Sequence, residues 1–302
     1  MDPKTMPKVL QVDKDVNRWS GWSTLTKPQW DNLEKAEAIQ LPLAMIECDV
    51  LRAYAIYLIA HSHPKFWTAP SSTTGKYHPE EQNRDSEVVP GIVVGGLISH
   101  TWHVLVTCFE AMRRYGYSER ASREDRIRWA KVRDELAFAS IVHDWAKCGD
   151  PTRGEWFDNT ASDHGEMAAE IVRGPMLDRF LIAFPEVIDE PLDLLKEMVA
   201  ASAHAVEHHY GVWSKSRLRP SSDGMNDLDR MLQEGDYYST RRYIDRFDGK
   251  KVLDVMRKCS PSELSGCNIP VKPLVEPEPD LDLGASPGPD RKAGGTDPDY
   301  MW

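Results

Sequence analysis

His143 and Asp144 stand side by side in Ser140-Ile-Val-His-Asp-Trp-Ala-Lys147, with His100 upstream and Asp236 downstream. Imidazole and carboxylate together suit a hard-to-borderline divalent cation that keeps a position open for water, whereas all-thiolate cages suit closed structural sites. The chemistry open to such a set is metal-assisted hydrolysis. An adjacent His-Asp pair is a weak signal alone, because dipeptides recur by chance and a buried histidine is usually just hydrogen-bonded. An ordered series around it strengthens the reading. In chain order it runs Gly95-Gly-Leu-Ile-Ser-His100, His143-Asp144-Trp-Ala-Lys147, Asp163-His164-Gly-Glu, His208-His209-Tyr-Gly-Val-Trp213 and Glu234-Gly-Asp236.

The elements that must position these residues read as helices. Apolar residues recur at helical spacing from Pro28 to Ile59, which predicts two helices broken near Pro42. Pro64 to Pro90 turns to Pro, Ser, Thr, Gly, Asn and Asp and reads as an irregular loop that could cover a site. A helix from about Leu97 to Tyr115 carries His100 and stops at Gly116. The next starts at the capping pair Ser122 and Asp125 and runs to Cys148, so its final turns carry His143 and Asp144. Asp163 opens another, ended by Gly174-Pro175, Pro191 begins a long helix to Gly211, and Met225 to Phe247 gives the last. Apart from the short Gly91-Ile-Val-Val94 no alternating run appears, and the expected fold class is all-α.

The 302 residues divide, on this reading, into an N-terminal helical extension over 1–64, a helical domain over 65–250, a linker over 251–264 and a tail over 265–302. The tail interleaves seven prolines with Asp, Glu and Gly from Pro270 onward and has little to bury, which predicts a disordered, solvated extension. Cys48, Cys108, Cys148, Cys259 and Cys267 are odd in number and never form Cys-x-x-Cys, so neither a disulfide framework nor a zinc ribbon is signalled. No apolar run reaches the roughly 18 residues of a membrane span, and the first residues lack the apolar segment of a signal peptide. A cytoplasmic protein without membrane contact is expected. The formal charge of -11 disfavours extended binding to duplex nucleic acid, a local basic groove aside, and small anionic substrates fit better, because a metal can supply positive charge locally. The sequence leaves the oligomeric state open, a homo-oligomer included.

The ordered series resembles the HD-domain metal-dependent phosphohydrolase superfamily, over about residues 65 to 250. The local likeness is to stand-alone bacterial and phage HD proteins and to relaxase-associated HD regions, carried by Lys76-Tyr77-His78-Pro79 ahead of Gly95-Gly96-Leu97-Ile98-Ser99-His100. The resemblance implies an HD-type helical bundle in which His100, His143, Asp144 and Asp236 are the primary metal ligands. It further implies that His164 and His209 hold a second ion or meet substrate phosphate, with His209 rather than His208 the functional member of that pair. Lys147, three residues after Asp144 and four after His143, shares their helical face and by the same likeness contacts phosphate or orients the aspartate. Asp144 and Lys147 are thus the expected catalytic residues, and Lys76, His78 and His208 the expected substrate contacts.

Bland readings compete for the rest. His103 and His204 are more often satisfied structural histidines, His61 and His63 read as loop residues, and Arg241-Arg242 as an exposed pair. The chain has no phosphate-binding Gly-x-x-x-x-Gly-Lys loop, no Gly-x-Ser-x-Gly elbow and no His-Glu-x-x-His helix. One or two ions are expected, drawn from manganese, magnesium, iron, nickel, cobalt and zinc, since mixed imidazole and carboxylate sites accept several. The favoured reaction is hydrolysis of a phosphate ester of a nucleotide or deoxynucleotide. A phosphodiesterase acting on cyclic dinucleotides or single-stranded nucleic-acid ends is one alternative, and a regulatory module that binds metal or nucleotide without turnover is another.

Overall fold

Thr26 and Gln29 open the first long helix. The Thr26 backbone N–H donates to Gln29 Oε1 at 2.7 Å, and Pro28 occupies an early position where a missing N–H costs nothing. The computed structural model describes Leu10 and residues 19–71, 86–89, 92–117, 122–156, 163–189, 191–209 and 225–239. Helix α1 spans Lys27–Lys35, a 3-10 turn follows over Ala36–Ile39, α2 spans Gln40–Ala44 and α3 spans Asp49–Ala60. The interruption expected near Pro42 therefore falls on both sides of it. Pro42 sits in the first turn of α2, where its ring is harmless, and the chain leaves helix after Ala44. Beyond that point the N–H groups of Glu47 and Cys48 donate to the carboxylate of Asp134 at 3.1 and 2.7 Å, so a side chain 86 residues away closes the start of α3.

Helix α3 is apolar on nearly every side and every residue after Asp49 is buried. Tyr54 stacks on Phe138 and lies 5.0 Å from the Phe180 ring, while its hydroxyl donates to the Val172 carbonyl oxygen. Upstream, Trp22 meets the edge of Phe184 at 4.6 Å, and Asn32 ties α1 to the end of α3 through the carbonyls of Ala60 and Ser62. One buried cluster accordingly runs from Leu10 through α3 to Leu232. The described residues before 65, expected as an extension, share their core with the rest.

The remaining helices build the bundle around α3. They are α4 (Gly96–Arg114), α5 (Arg123–Val142), α6 (His164–Arg173), α7 (Pro175–Ala183), α8 (Leu192–His208) and α9 (Asp227–Ser239). Ser122 caps α5 by accepting the Asp125 N–H at 3.1 Å, as the capping pair predicts. Two small antiparallel pairs join Ser86–Val89 (β1) to Ile92–Val94 (β2) and Gly149–Asp150 (β3) to Glu155–Trp156 (β4). The loop expected over Pro64 to Pro90 thus holds a 3-10 turn at Pro64–Trp67 and β1 among its described residues. The described chain is all-α apart from these two short pairs, and no described helix is long and apolar enough to cross a membrane. The linker and the tail lie outside the described residues.

Helix α5 also carries a buried carboxyl whose titration is predictable. Burial pushes Glu135 up to about 7, Lys131 at 3.6 Å opposes this, and Glu197 adds to it. Between pH about 4.5 and about 7 the folded protein keeps a proton that the unfolded chain has released, so stability falls as pH rises through that window. Glu135→Gln should remove on the order of 2 kcal/mol of this loss between about pH 5 and about pH 8. Urea melts of both proteins check it, and parallel pH profiles would show that Glu135 is not held protonated.

Candidate metal centre

Helix α5 ends at Val142, six residues before the expected end at Cys148. His143 is its C-cap, and the chain then tightens into three-residue turns, with Trp145 N–H on the Val142 carbonyl, Lys147 N–H on Asp144 and Gly149 N–H on Ala146. The Ser140 carbonyl, which would extend the helical ladder, accepts Nδ1–H of His143 at 2.8 Å. Trp145 anchors these turns to the core, its indole N–H shared between the Leu58 carbonyl at 3.1 Å and Ser62 Oγ at 3.0 Å. His143 and Asp144 thereby leave the helix in fixed directions and need not share one helical face.

Six residues of the ordered series converge at this end of the bundle and form two groups. His100 from α4, His143 and Asp236 from α9 make the first, and Asp144, His164 from the start of α6 and His209 from the end of α8 make the second. In the first, His100 Nε2 lies 3.2 Å from His143 Nε2 and 3.1 Å from Asp236 Oδ1. Asp144 spans the two groups. Its Oδ2 is 3.5 Å from both His100 Nε2 and His143 Nε2, and its Oδ1 is 2.6 Å from His164 Nε2. The expectation that Asp144 joins His100, His143 and Asp236 around one ion is thus modified: this carboxylate faces both groups. Neighbouring imidazoles follow one another across the centre, with ring centroids 5.2 Å apart for His100 and His143 and 5.5 Å apart for His143 and His209 and for His164 and His209.

The residues fit divalent cations. Two ligands about 2.1 Å from one ion stand roughly 3.0 Å apart at a right angle and roughly 3.4 Å apart at a tetrahedral one, which brackets the separations in the first group. A carbonyl oxygen can only accept, so the bonds from His143 Nδ1 to Ser140 and from His209 Nδ1 to Val206 place the proton on Nδ1 and the lone pair on Nε2. Ser239 Oγ stands 3.5 Å from His100 Nδ1 and donates to the Asp236 carbonyl oxygen at 2.9 Å, connecting the two ligands from behind.

Charge follows the same pattern. Burial, reinforced by the neighbouring His100 ring, pushes the His143 imidazole down. Burial also pushes His209 down to about 4, with His143 and His164 adding to it and Asp236 only partly offsetting it. For Asp144 burial acts upward but is overcome by Lys147 and then by His143 and His164, which hold the carboxyl well below its usual range. Asp236 is likewise held low by its hydrogen bond to His100, against the effect of burial. Two ionised carboxylates and the imidazole lone pairs of His143 and His209 therefore meet in the protein interior, an arrangement that a cation balances. Lys147 Nζ sits 2.9 Å from Asp144 Oδ2 and is the ammonium that steadies this carboxylate.

The other sequence candidates are placed differently. His208, expected at the substrate, lies with its ring 4.3 Å from His204 and belongs to neither group. His103 is buried on α4. Lys76, His78, Arg241 and Arg242 lie outside the described residues. What sequence reasoning missed is a set of close backbone approaches. A Cβ on Gly235 would fall 2.2 Å from Cys108 Sγ, and one on Gly165 would fall 2.7 Å from His209 Cε1 and 2.9 Å from the Val206 carbonyl. Their positions beside Asp236 and His164 were the available signal. Gly165→Ala should displace His209 and weaken ion binding at the second group by about 10- to 100-fold while sparing the first. Calorimetric titration with manganese would read this as one weakened class of site, and unchanged affinities would mean that Gly165 does not position His209.

Compared with protein-family models, with curated proteins and with solved structures, the chain matches none. The residues themselves carry the functional argument.

Proposed function

We propose that this protein is a divalent-metal-dependent phosphohydrolase of the HD type, acting on a small phosphate ester such as a nucleotide or deoxynucleotide. The observation that carries this reading is the convergence of His100, His143, Asp144, His164, His209 and Asp236 into two adjoining ligand groups that share Asp144. Bound divalent ions supply Lewis acidity, lowering the pKa of water and neutralising phosphoryl charge. Manganese, magnesium, iron, nickel, cobalt and zinc all suit this donor set.

The chain's own residues do the rest. His100, His143 and Asp236 hold one side of the centre, His164 and His209 the other, and Asp144 ties the two so that their spacing is set by one carboxylate. Lys147 keeps Asp144 ionised and aimed inward, and its side chain is 13% exposed, which leaves it open to a phosphate arriving from solvent. Burial of the centre lowers the local dielectric, which strengthens each of these interactions. Having two groups rather than one also suits phosphodiesters, so cyclic dinucleotides and oligonucleotide ends form the second substrate class.

The test is phosphate release by the purified chain, loaded with manganese, across nucleotides, deoxynucleotides, cyclic dinucleotides and short oligonucleotides. Turnover that is lost on chelation and restored by readded manganese is the expected result. Silence across the whole panel from protein shown to contain metal would overturn hydrolysis in favour of a metal- or nucleotide-binding module.

A further inference from the structure

A third group of ligand-type residues lies outside the paired centre. His204 and His208 sit one turn apart on α8, and Asp229 faces them from the first turn of α9. One nitrogen of each ring and one oxygen of Asp229 lie within 4.8 Å of one another. The His204 ring is accessible, its side chain 43% exposed, whereas Asp229 is fully buried.

Both imidazoles are set for ligation. His208 Nδ1 donates to the His204 carbonyl oxygen at 2.8 Å, which leaves Nε2 with the lone pair. His204 Nδ1 donates to Asp229 Oδ1 at 2.9 Å, the carboxylate support that fixes the tautomer of a metal-bound histidine and raises its basicity. Asp229 is itself held, with Oδ2 accepting the Asn226 N–H at 2.9 Å and its own N–H donating to Asn226 Oδ1 at 3.0 Å. Residues four apart on a helix project to one face, and the two ring centroids stand 4.3 Å apart. Glu166 adds negative charge near His208, and its Oε1 is buried without a hydrogen-bond partner among the described residues.

We propose that His204 and His208, supported by Asp229, bind a borderline transition ion such as zinc, nickel or copper at a site separate from the paired centre. Two imidazoles and few carboxylates select against magnesium and calcium. The site joins the end of α8 to the start of α9, the two helices that deliver His209 and Asp236. Occupancy therefore pins both arms of the paired centre without touching it. This inference is independent of the phosphohydrolase reading.

Zinc per chain, counted on the demetallated full-length protein by titration and elemental analysis, tests it against His204→Ala/His208→Ala and against Asp144→Asn. The expected result is one zinc ion fewer in the double variant than in the wild type, with the ions that Asp144→Asn removes still bound. Equal zinc content and affinity in wild type and double variant would overturn the site while leaving the paired centre untouched. Loss of an ion in the double variant with no loss in Asp144→Asn would uphold this site and remove the paired centre instead. Should the double variant unfold, His208→Ala alone decides the matter, since among the described residues its ring bonds to the His204 carbonyl of its own helix. Copper provides a second readout. Two-nitrogen hyperfine structure should be present in Asp144→Asn and absent once His208→Ala is added, and its persistence would refute the assignment.

Discussion

Asp144→Asn should lower phosphate release by at least about 10³-fold and strip the protein of ions from both ligand groups, while its helical circular dichroism stays that of the wild type. The large effect follows from geometry. Asp144 Oδ1 is 2.6 Å from His164 Nε2 and Oδ2 is 3.5 Å from both His100 and His143, so one side chain serves both groups. The amide keeps the volume but removes the anion, and its nitrogen presents hydrogens where lone pairs are needed. Lys147 then keeps a mostly buried charge with its partner neutralised, a loss of about 1–2 kcal/mol in the metal-free fold. Trp145 still anchors the turn through Leu58 and Ser62, which is why the fold should survive. Asp236→Asn provides the contrast. It removes one ligand from the first group only, so ion binding by His164, His209 and Asp144 should remain. Elemental analysis after dialysis separates the two variants, and an Asp144→Asn protein with turnover within about tenfold of wild type would refute the shared-carboxylate reading.

Gly235→Ala is expected to lower stability by about 1–3 kcal/mol and activity by up to about a hundredfold, although glycine 235 touches no ion and no substrate. Helix α9 lies against α4 at this residue. An added Cβ would fall 2.2 Å from Cys108 Sγ, 3.1 Å from the Val104 carbonyl oxygen and 3.3 Å from the Cys108 nitrogen. The sulfur contact is too short to accommodate, so α9 must back away and carry Asp236, the next residue, off His100. Cys108 has little room to yield: it is fully buried, its Sγ 3.5 Å from the Met231 carbonyl and 3.6 Å from Ser140 Oγ. Cys108→Ala added to Gly235→Ala removes the shortest contact and leaves two that ask for only a few tenths of an ångström. The double variant should therefore recover most of both losses. Melting curves and manganese-dependent turnover of the single and double variants check this, and a double variant no better than Gly235→Ala would mean that sulfur contact is not what seats α9.

The types of residue at the centre, their order and the helical character of their surroundings were legible in the chain. Local rules suffice for these. Thr26 with Gln29 and Ser122 with Asp125 write helix starts through bonds three residues long, and the apolar spacing along α3, α4 and α8 marks faces to be buried. The candidate ligands could be named because histidine and aspartate keep their chemistry wherever they are placed. Which of them meet was decided by tertiary structure. Periodicity extended α5 through Asp144 to Cys148, but the Ser140 carbonyl bonded to the His143 ring, and Trp145 reaching α3, end it at Val142 and turn Asp144 to face two groups at once. His208 and His209 are adjacent in sequence, yet one joins His204 and Asp229 while the other joins Asp144 and His164. That division depends on how closely α6, α8, α9 and α4 approach, and Gly165 and Gly235 set those approaches through contacts with partners tens or more than a hundred residues away. Sequence carries local preference and side-chain chemistry. Convergence at a few ångströms is a property of interhelical packing, which no single segment contains.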